Sequence, residues 1–256
     1  MEVHKHPHHV MHSKKWSEYL LEFAMLFLAV FLGFVAENYR EHLVEKKQEH
    51  QYIASLYDDL RVDTTTLNAT ILQKKWVISN LDSLNKLLAS PDLHRQNEQL
   101  YFLERFLTKN EMFNTQDVTF QQLRSSGSFR YINNLALYKK LSNYYSLYNH
   151  YQTLIESQFE NINTLTTMEA SLFDGKDLNS LNSSSPNSFY TLFKRPQTNL
   201  HLVTMDDKTL NFLTVKAGNA LLLQQTCLVF LDRLKETGSV LIADIEKEYE
   251  PILNDF

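Results

Sequence analysis

Cysteine is nearly missing: Cys227 is the single one in 256 residues. An intramolecular disulfide is therefore excluded, and so is a metal site built on a cysteine cluster. Glycine and proline are scarce as well, five of each, against average usage of about 7% and about 5%. Few breakers leave few places to turn, so the chain reads as long helices with few connections. No stretch of any length alternates apolar and polar residues as a half-buried strand would. GxSxG, HExxH, Walker and GxGxxG patterns are all absent, which removes common signatures of hydrolases, zinc proteases and nucleotide binders. The acidic pairs Asp58 with Asp59 and Asp206 with Asp207 sit at adjacent positions, so on a helix they face differently and make no acid–base couple. A net charge of −5 gives no sign of a nucleic-acid binder. The expectation is a protein with no enzymatic activity, no cofactor and no nucleic-acid partner.

Apolar content of 43% suffices for a core, and the length allows one or two domains. The most apolar stretch is LLEFAMLFLAVFLGFVAENYREH, from Leu20 to His42. Phe23 to Ala36 carries no charge, and extension back to Tyr19 meets only Glu22. Eighteen helical residues span about 27 Å, close to the roughly 30 Å of a bilayer's hydrocarbon. Phe23, Phe27, Phe31 and Phe34 are spread among Leu and Val, so no polar face remains, unlike a helix that lies on a membrane surface. Trp16 and Tyr19 at one end and Tyr39 at the other suit the interfaces. A cleaved signal peptide would need small residues at its exit, where Phe34 stands. A buried core helix would be shorter. Residues 16–36 are therefore expected to form a single transmembrane helix that acts as a signal anchor in the cytoplasmic membrane.

Orientation is nearly silent. Lys5, Lys14 and Lys15 precede the span and Arg40, Lys46 and Lys47 follow it. Long domains translocate largely regardless of charge, so the reading favours the amino-terminus in the cytoplasm and the body in the periplasm. Glu22 lies about one turn inside the span; an intramembrane carboxylate can be a proton or partner site. The plainer account is an interfacial carboxylate near a helix amino-terminus, within reach of Lys15.

Beyond the span, polarity rises at once. From Ile53 a coiled-coil-like seam runs through Leu56, Leu60, Leu67, Ile71, Ile78, Leu81 and Leu88, with gaps at Asp63, Lys74 and Asn85 that call for a partner tolerant of polar groups. Residues 37–90 are expected to continue the span as a stalk and first helix, ended by Ser90 and Pro91. A shorter helix is expected over 96–109, then one capped by Asp117 and closed by Ser125, Ser126 and Gly127. Asn133 or Asn134 would cap a long helix within 131–173, with a seam of Tyr138, Leu141, Tyr145, Tyr148, Ile155, Phe159, Ile162 and Phe173. The Ser- and Asn-rich connection 174–205 would hold a small docked piece around Phe189 and Phe193. A closing helix over 206–250, seamed by Leu221, Leu228, Leu231, Ile242, Ile245 and Tyr249, would stop at Pro251. The expected class is all-α: one amino-terminal transmembrane helix, a stalk, and an antiparallel bundle of long helices with two short ones, the bundle domain covering 37–256.

Three segments could carry chemistry. The basic tail 1–15 holds His4, His6, His8, His9 and His12. Imidazole-rich tracts bind zinc, copper or nickel, and on mild acidification would bind anionic headgroups; the plainer account is a basic flank that holds the span in place. Tyr138 to Tyr151 contains five tyrosines and His150, either a phenol-lined pocket or, more simply, core and rim of the bundle. The segment TFQQLRSSGSFRYINN mixes aromatic, polar and glycine residues between elements. Its Phe120, Arg124, Ser125, Ser126, Gly127, Phe129, Arg130 and Tyr131 are the expected interaction surface.

MEVHKHPHHV with KKWSEYLLEFAMLFLAVFLGFVAENYREH resembles the start of a family of uncharacterised single-span membrane proteins of Gram-negative bacteria, catalogued as a domain of unknown function. TFQQLRSSGSFRYINN is similar to that family's Ser-Ser-Gly motif before the long helix, though Phe129 and Tyr131 make it more aromatic. The ending near IADIEKEYEPIL is similar too. The resemblance covers most of the chain and implies a membrane anchor and a helical body; it brings no activity, substrate or catalytic residues.

The leading expectation is a membrane-anchored helical interaction or scaffold module of the envelope. Its partners would be the lipid bilayer and either another envelope protein or a second copy. A rival is an extracytoplasmic sensor subunit that signals through a partner, since about fifteen residues on the inner side are too few for an output domain. Another is a metal-handling envelope protein that uses the histidine tract.

Overall fold

The computed structural model describes residues 15–109, 111–132, 134–197 and 200–253, with the backbone alone for 157–164 and 251–253. The helices are α1 (Trp16–Leu88), α2 (Asn97–Glu104), α3 (Val118–Ser126), α4 (Leu135–Leu172), α5 (Gly175–Ser180) and α6 (Asp207–Leu253). Short 3-10 turns occupy Leu93–Arg95, Ser128–Tyr131 and Phe189–Thr191. Among the described residues there is no strand, only isolated bridges from Phe173 to Leu202 and from Asn182 to Phe193. The fold is all-α, as the scarcity of breakers requires.

Two compact units divide the chain between Gln51 and Tyr52. In the first, the described residues belong almost wholly to α1. Its apolar segment leaves Phe23, Phe27, Phe31 and Phe34 exposed, along with the Leu and Val residues between them. No residue of its most apolar window is buried, and the helix is long and apolar enough to cross a membrane. Glu37 and Arg40 pair just beyond it.

The second unit is a bundle of α1 from Tyr52 onward, α4 and α6. α6 runs antiparallel to α1: Tyr57 donates to Glu246 (2.7 Å) at one end, and Asn85 donates to the Ala217 carbonyl (3.2 Å) at the other. It is antiparallel to α4 too, through Asn134 with Glu248 and Lys140 with Asp244, 2.5 Å each. α1 and α4 therefore run in the same direction. Residues 89–134 make this possible by carrying the chain back along the bundle, with Leu100 and Phe106 in one core cluster and Phe113 and Phe120 in the other. The first cluster gathers Val77, Leu81, Leu165, Leu172 and Leu213; the second gathers Ile53, Leu60, Leu141, Tyr144, Leu231 and Ile245.

Several local expectations are corrected. The α1 seam does not jump to Ile78: Val77, Leu84 and Leu87 are buried, while Ile78 and Leu88 are half-buried. The three-and-four stepping simply continues through Lys74. On α4, Leu137 and Tyr144 take the inward positions, while Tyr138 is exposed and Tyr148 half-buried. Side chains of Phe159 and Ile162 lie outside the described residues. On α6, Leu221, Leu228 and Ile242 flank a seam made by Leu213, Ala217, Cys227, Leu231 and Leu234. α2 ends at Glu104, well short of Lys109. Asp117 makes no capping hydrogen bond; its carboxylate accepts from the Gln121 side chain instead. Asn133 lies outside the described residues, and Asn134 caps α4 by accepting from the Leu137 N–H at 2.9 Å.

The connection 174–205 contains a helix the composition did not announce, α5, begun where Asp174 accepts from the N–H groups of Lys176 and Asp177. Its docked turn is where expected: Trp76 meets Phe189 and Tyr190 edge to face at 5.5 and 5.2 Å. α6 breaks at Tyr249 (φ −120°, ψ 20°) and then makes a last turn to Leu253. Pro251 cannot donate to the turn before it, so the helix yields upstream of the proline.

Candidate functional site

The Ser-Ser-Gly segment closes α3 on Gly127, whose φ of +69° is left-handed and whose N–H returns to the Leu123 carbonyl. Only glycine adopts that cap without strain. The Ser126 hydroxyl donates to the Gln122 carbonyl at 2.7 Å and accepts from the Ser128 N–H at 3.3 Å, so the turn is held locally. Phe120 and Phe129 point inward. Phe120 is buried and stacks on Tyr145 with centroids 3.9 Å apart, and Phe129 packs against Phe120 and Tyr138. Arg124, Ser125, Ser126, Gly127 and Arg130 face outward, and the Arg130 guanidinium covers the ring of half-buried Tyr131. Of the eight residues expected to form an interaction surface, the structure thus assigns Phe120 and Phe129 to packing. The outward remainder is a small basic and hydroxyl patch beside a shallow cavity of about 390 Å³ lined by Phe129, Ile132, Leu135 and Tyr138.

Apart from Tyr138 at the rim of that cavity, the described tyrosines of α4 pack into the bundle. Tyr144, Tyr145 and Tyr151 are buried, and each hydroxyl has a protein partner: the Asp63 carboxylate (2.8 Å), the Gln116 carbonyl (3.2 Å) and the Glu111 carbonyl (3.3 Å). Burial first, then nearby carboxylates, push Tyr144 and Tyr145 far above the ordinary phenol range, so they stay neutral donors.

The polar gaps of the α1 seam each find a partner. Asp63 is buried and accepts from Thr115, from the Gln116 N–H at 2.7 Å and from Tyr144. Lys74 is buried and donates to Gln224 at 2.7 Å, with Glu111 at 3.9 Å. Asn85 bridges to the Ala217 carbonyl. Burial lowers Lys74 and raises Glu111, outweighing their mutual attraction. Buried Cys227 nearby is raised by burial, more than the lysine lowers it, which keeps the thiol protonated and poorly nucleophilic. Sequence reasoning located these gaps but not their partners.

A carboxyl pair was missed altogether. Glu104 on α2 is buried beside Glu169 on α4, and burial together with that neighbour's like charge pushes Glu104 well above the usual carboxylate range. Nothing in the spacing of residues 65 positions apart signals such a meeting. Arg105 next to it donates to the Leu178 carbonyl and to Asn182, at 2.7 and 2.6 Å, tying down the connection after α4.

Glu22 sits on α1 with its side chain exposed, within the apolar segment. His4, His6, His8, His9 and His12 lie outside the described residues. Among the described residues no group of His, Cys, Asp and Glu is arranged to hold a metal ion. No protein-family model, no curated protein and no solved structure matches the chain.

Proposed function

We propose that this protein is a membrane-anchored helical interaction module of the bacterial envelope, without enzymatic activity, of the single-span family its sequence resembles. One observation carries the reading. The apolar stretch of α1 keeps its large side chains exposed, with no residue of its most apolar window buried. Soluble proteins rarely expose apolar patches beyond a few hundred Å², and a bilayer removes that cost. The module holds its amino-terminus in the cytoplasm and its bundle in the periplasm. Within the described part of the bundle, buried Lys74 pairs with Gln224 and buried Asp63 with Tyr144 across helices, which favours binding through the surface.

A reporter fused after Phe256, combined with protease access in cells whose outer membrane has been opened, tests the topology. A periplasmic carboxy-terminus supports the reading. A cytoplasmic one reverses it, places the histidine tract in the periplasm and makes the bundle a cytoplasmic scaffold.

A further inference from the structure

α6 carries two seams. One is buried in the bundle through Leu213, Ala217, Cys227, Leu231 and Leu234. The other faces the opposite way. Val215, Leu222 and Val229 recur every seven residues and are 54%, 65% and 49% exposed. At 3.6 residues per turn they stay within about 40° of one another around the helix axis.

The repeat selects the kind of partner. An irregular surface or a lipid needs only an apolar patch. A strict seven-residue repeat keeps side chains in line along a second helix of the same pitch. Charge narrows the choice further. From Ala217 to Leu231 the sequence AGNALLLQQTCLVFL contains no charged residue, although Gly218, Asn219, Leu222, Gln225 and Val229 are exposed. An outward helix face ordinarily carries charge. Identical helices laid side by side in the same direction set each residue against its own counterpart, so a charge there would meet its like. A window free of charge is what such pairing requires. The window ends where Asp232, Arg233 and Glu236 are exposed; there each charge would meet its own counterpart, so the paired stretch stops short of them. At the other end, Phe212 and Val215 border an open groove of about 920 Å³ beside Met168 and Ser171 of α4, which leaves room for apposed side chains.

We propose that this face of α6 pairs with the same face of a second copy, the two α6 helices parallel and in register about Leu222. The inference rests on the anchored reading for one point: two copies held in one bilayer by the same segment share a direction.

Site-directed crosslinking of the full chain in isolated native membranes tests it. Cys227 is buried, so the natural chain serves as a silent background. Val215→Cys, Leu222→Cys and Val229→Cys are each oxidised with copper-phenanthroline, beside Leu72→Cys and Val118→Cys, at exposed positions on other helices. The expected result is a product of twice the monomer mass at all three α6 positions and little at the two others. No product at Leu222, equal yields at all five positions, or a product containing a different protein overturns the pairing. Alkaline extraction of the same membranes separates the two readings. If the chain stays in the membrane and fails to crosslink, only the seam is wrong. If the chain washes out, the anchor is wrong. The seam then stands or falls on the mass of the purified chain: a dimer that Leu222→Glu converts to a monomer of unchanged helix content supports it, and a natural monomer overturns it.

Discussion

The ammonium group of Lys74, fully buried on α1, donates to Oε1 of Gln224 on α6 across 2.7 Å. The same glutamine's amide donates to the Lys109 carbonyl at 3.0 Å, so one side chain joins α6 to both α1 and the returning segment. Glu111 completes the cluster at 3.9 Å from Lys74, a distance at which burial dominates and both groups are driven toward neutrality. Lys74→Ala removes the group that faces the buried Glu111 carboxyl and leaves Gln224 Oε1 without its donor. The expected loss is about 1–3 kcal/mol, read as a drop in thermal midpoint of the full chain in detergent by circular dichroism. Replacing Lys74, Glu111 and Gln224 together by Met, Leu and Leu is expected to restore part of it, because the three polar side chains leave together and only the Lys109 carbonyl loses its donor.

Glu104 sets a pH dependence. Its carboxyl is raised by burial and by Glu169, with Arg105 opposing. The folded chain thus holds a proton that the unfolded chain releases above the ordinary glutamate value of 4.5. Stability contributed by that proton is present below 4.5 and is lost as pH rises toward the folded-state value. The slope from one such group reaches about 1.4 kcal/mol per pH unit. Glu104→Gln is expected to flatten the fall of melting temperature between mildly acidic and neutral pH, and to raise the midpoint at neutral pH. An unchanged slope would mean that the pair does not store a proton.

Gly127 ends α3 at φ +69°, and a Cβ there would meet nothing within 4 Å. The cost of a side chain is therefore conformational alone. Gly127→Ala is expected to destabilise by about 1–2 kcal/mol and Gly127→Asn by less, since asparagine tolerates the left-handed region. Urea unfolding of the two variants side by side checks the order.

Two glycines within α6 are expected to respond in opposite directions. At Gly238 a Cβ would lie 3.2 Å from Thr64 Cγ2 and 3.4 Å from Tyr144 Cε2, so α6 passes close to both α1 and α4 there. Gly238→Leu is expected to cost about 1–3 kcal/mol by overpacking. At Gly218 the nearest atom is Asn85 Oδ1 at 3.8 Å, an ordinary contact. Gly218→Ala is expected to stabilise by about 0.8–1 kcal/mol through helix propensity. Denaturant midpoints of the two variants give the comparison.

Much of the candidate surface was legible and part of it was not. The composition of TFQQLRSSGSFRYINN marks a turn between helices, and Gly127 fills the role such a turn assigns it. It does not say which aromatic residues are spent on packing. Phe120 and Phe129 read as exposed determinants, yet Phe120 stacks on Tyr145 and Phe129 sits edge-on to Phe120, because α4 passes directly beneath. The exposed stripe on α6 was hidden for the opposite reason. A helix with apolar residues on two faces shows no clean periodicity, and only the burial of Cys227 and Leu231 reveals that Val215, Leu222 and Val229 form a separate line.

Local chemistry determined the helices: with five glycines and five prolines in 256 residues, the hydrogen-bonded backbone has few places to stop, and side-chain spacing marks which face is apolar. It also determined the span-length segment of α1 and the positions where the seam turns polar. Tertiary structure decided what those positions meet. Asp63 finds Tyr144, Lys74 finds Gln224 and Glu104 finds Glu169 across separations that no helical period relates. It also decided that α4 runs parallel to α1, because the segment from 89 to 134 folds back along the bundle before α4 begins. Periodicity is a property of one helix, whereas a buried polar pair belongs to two helices and depends on the path of the chain between them.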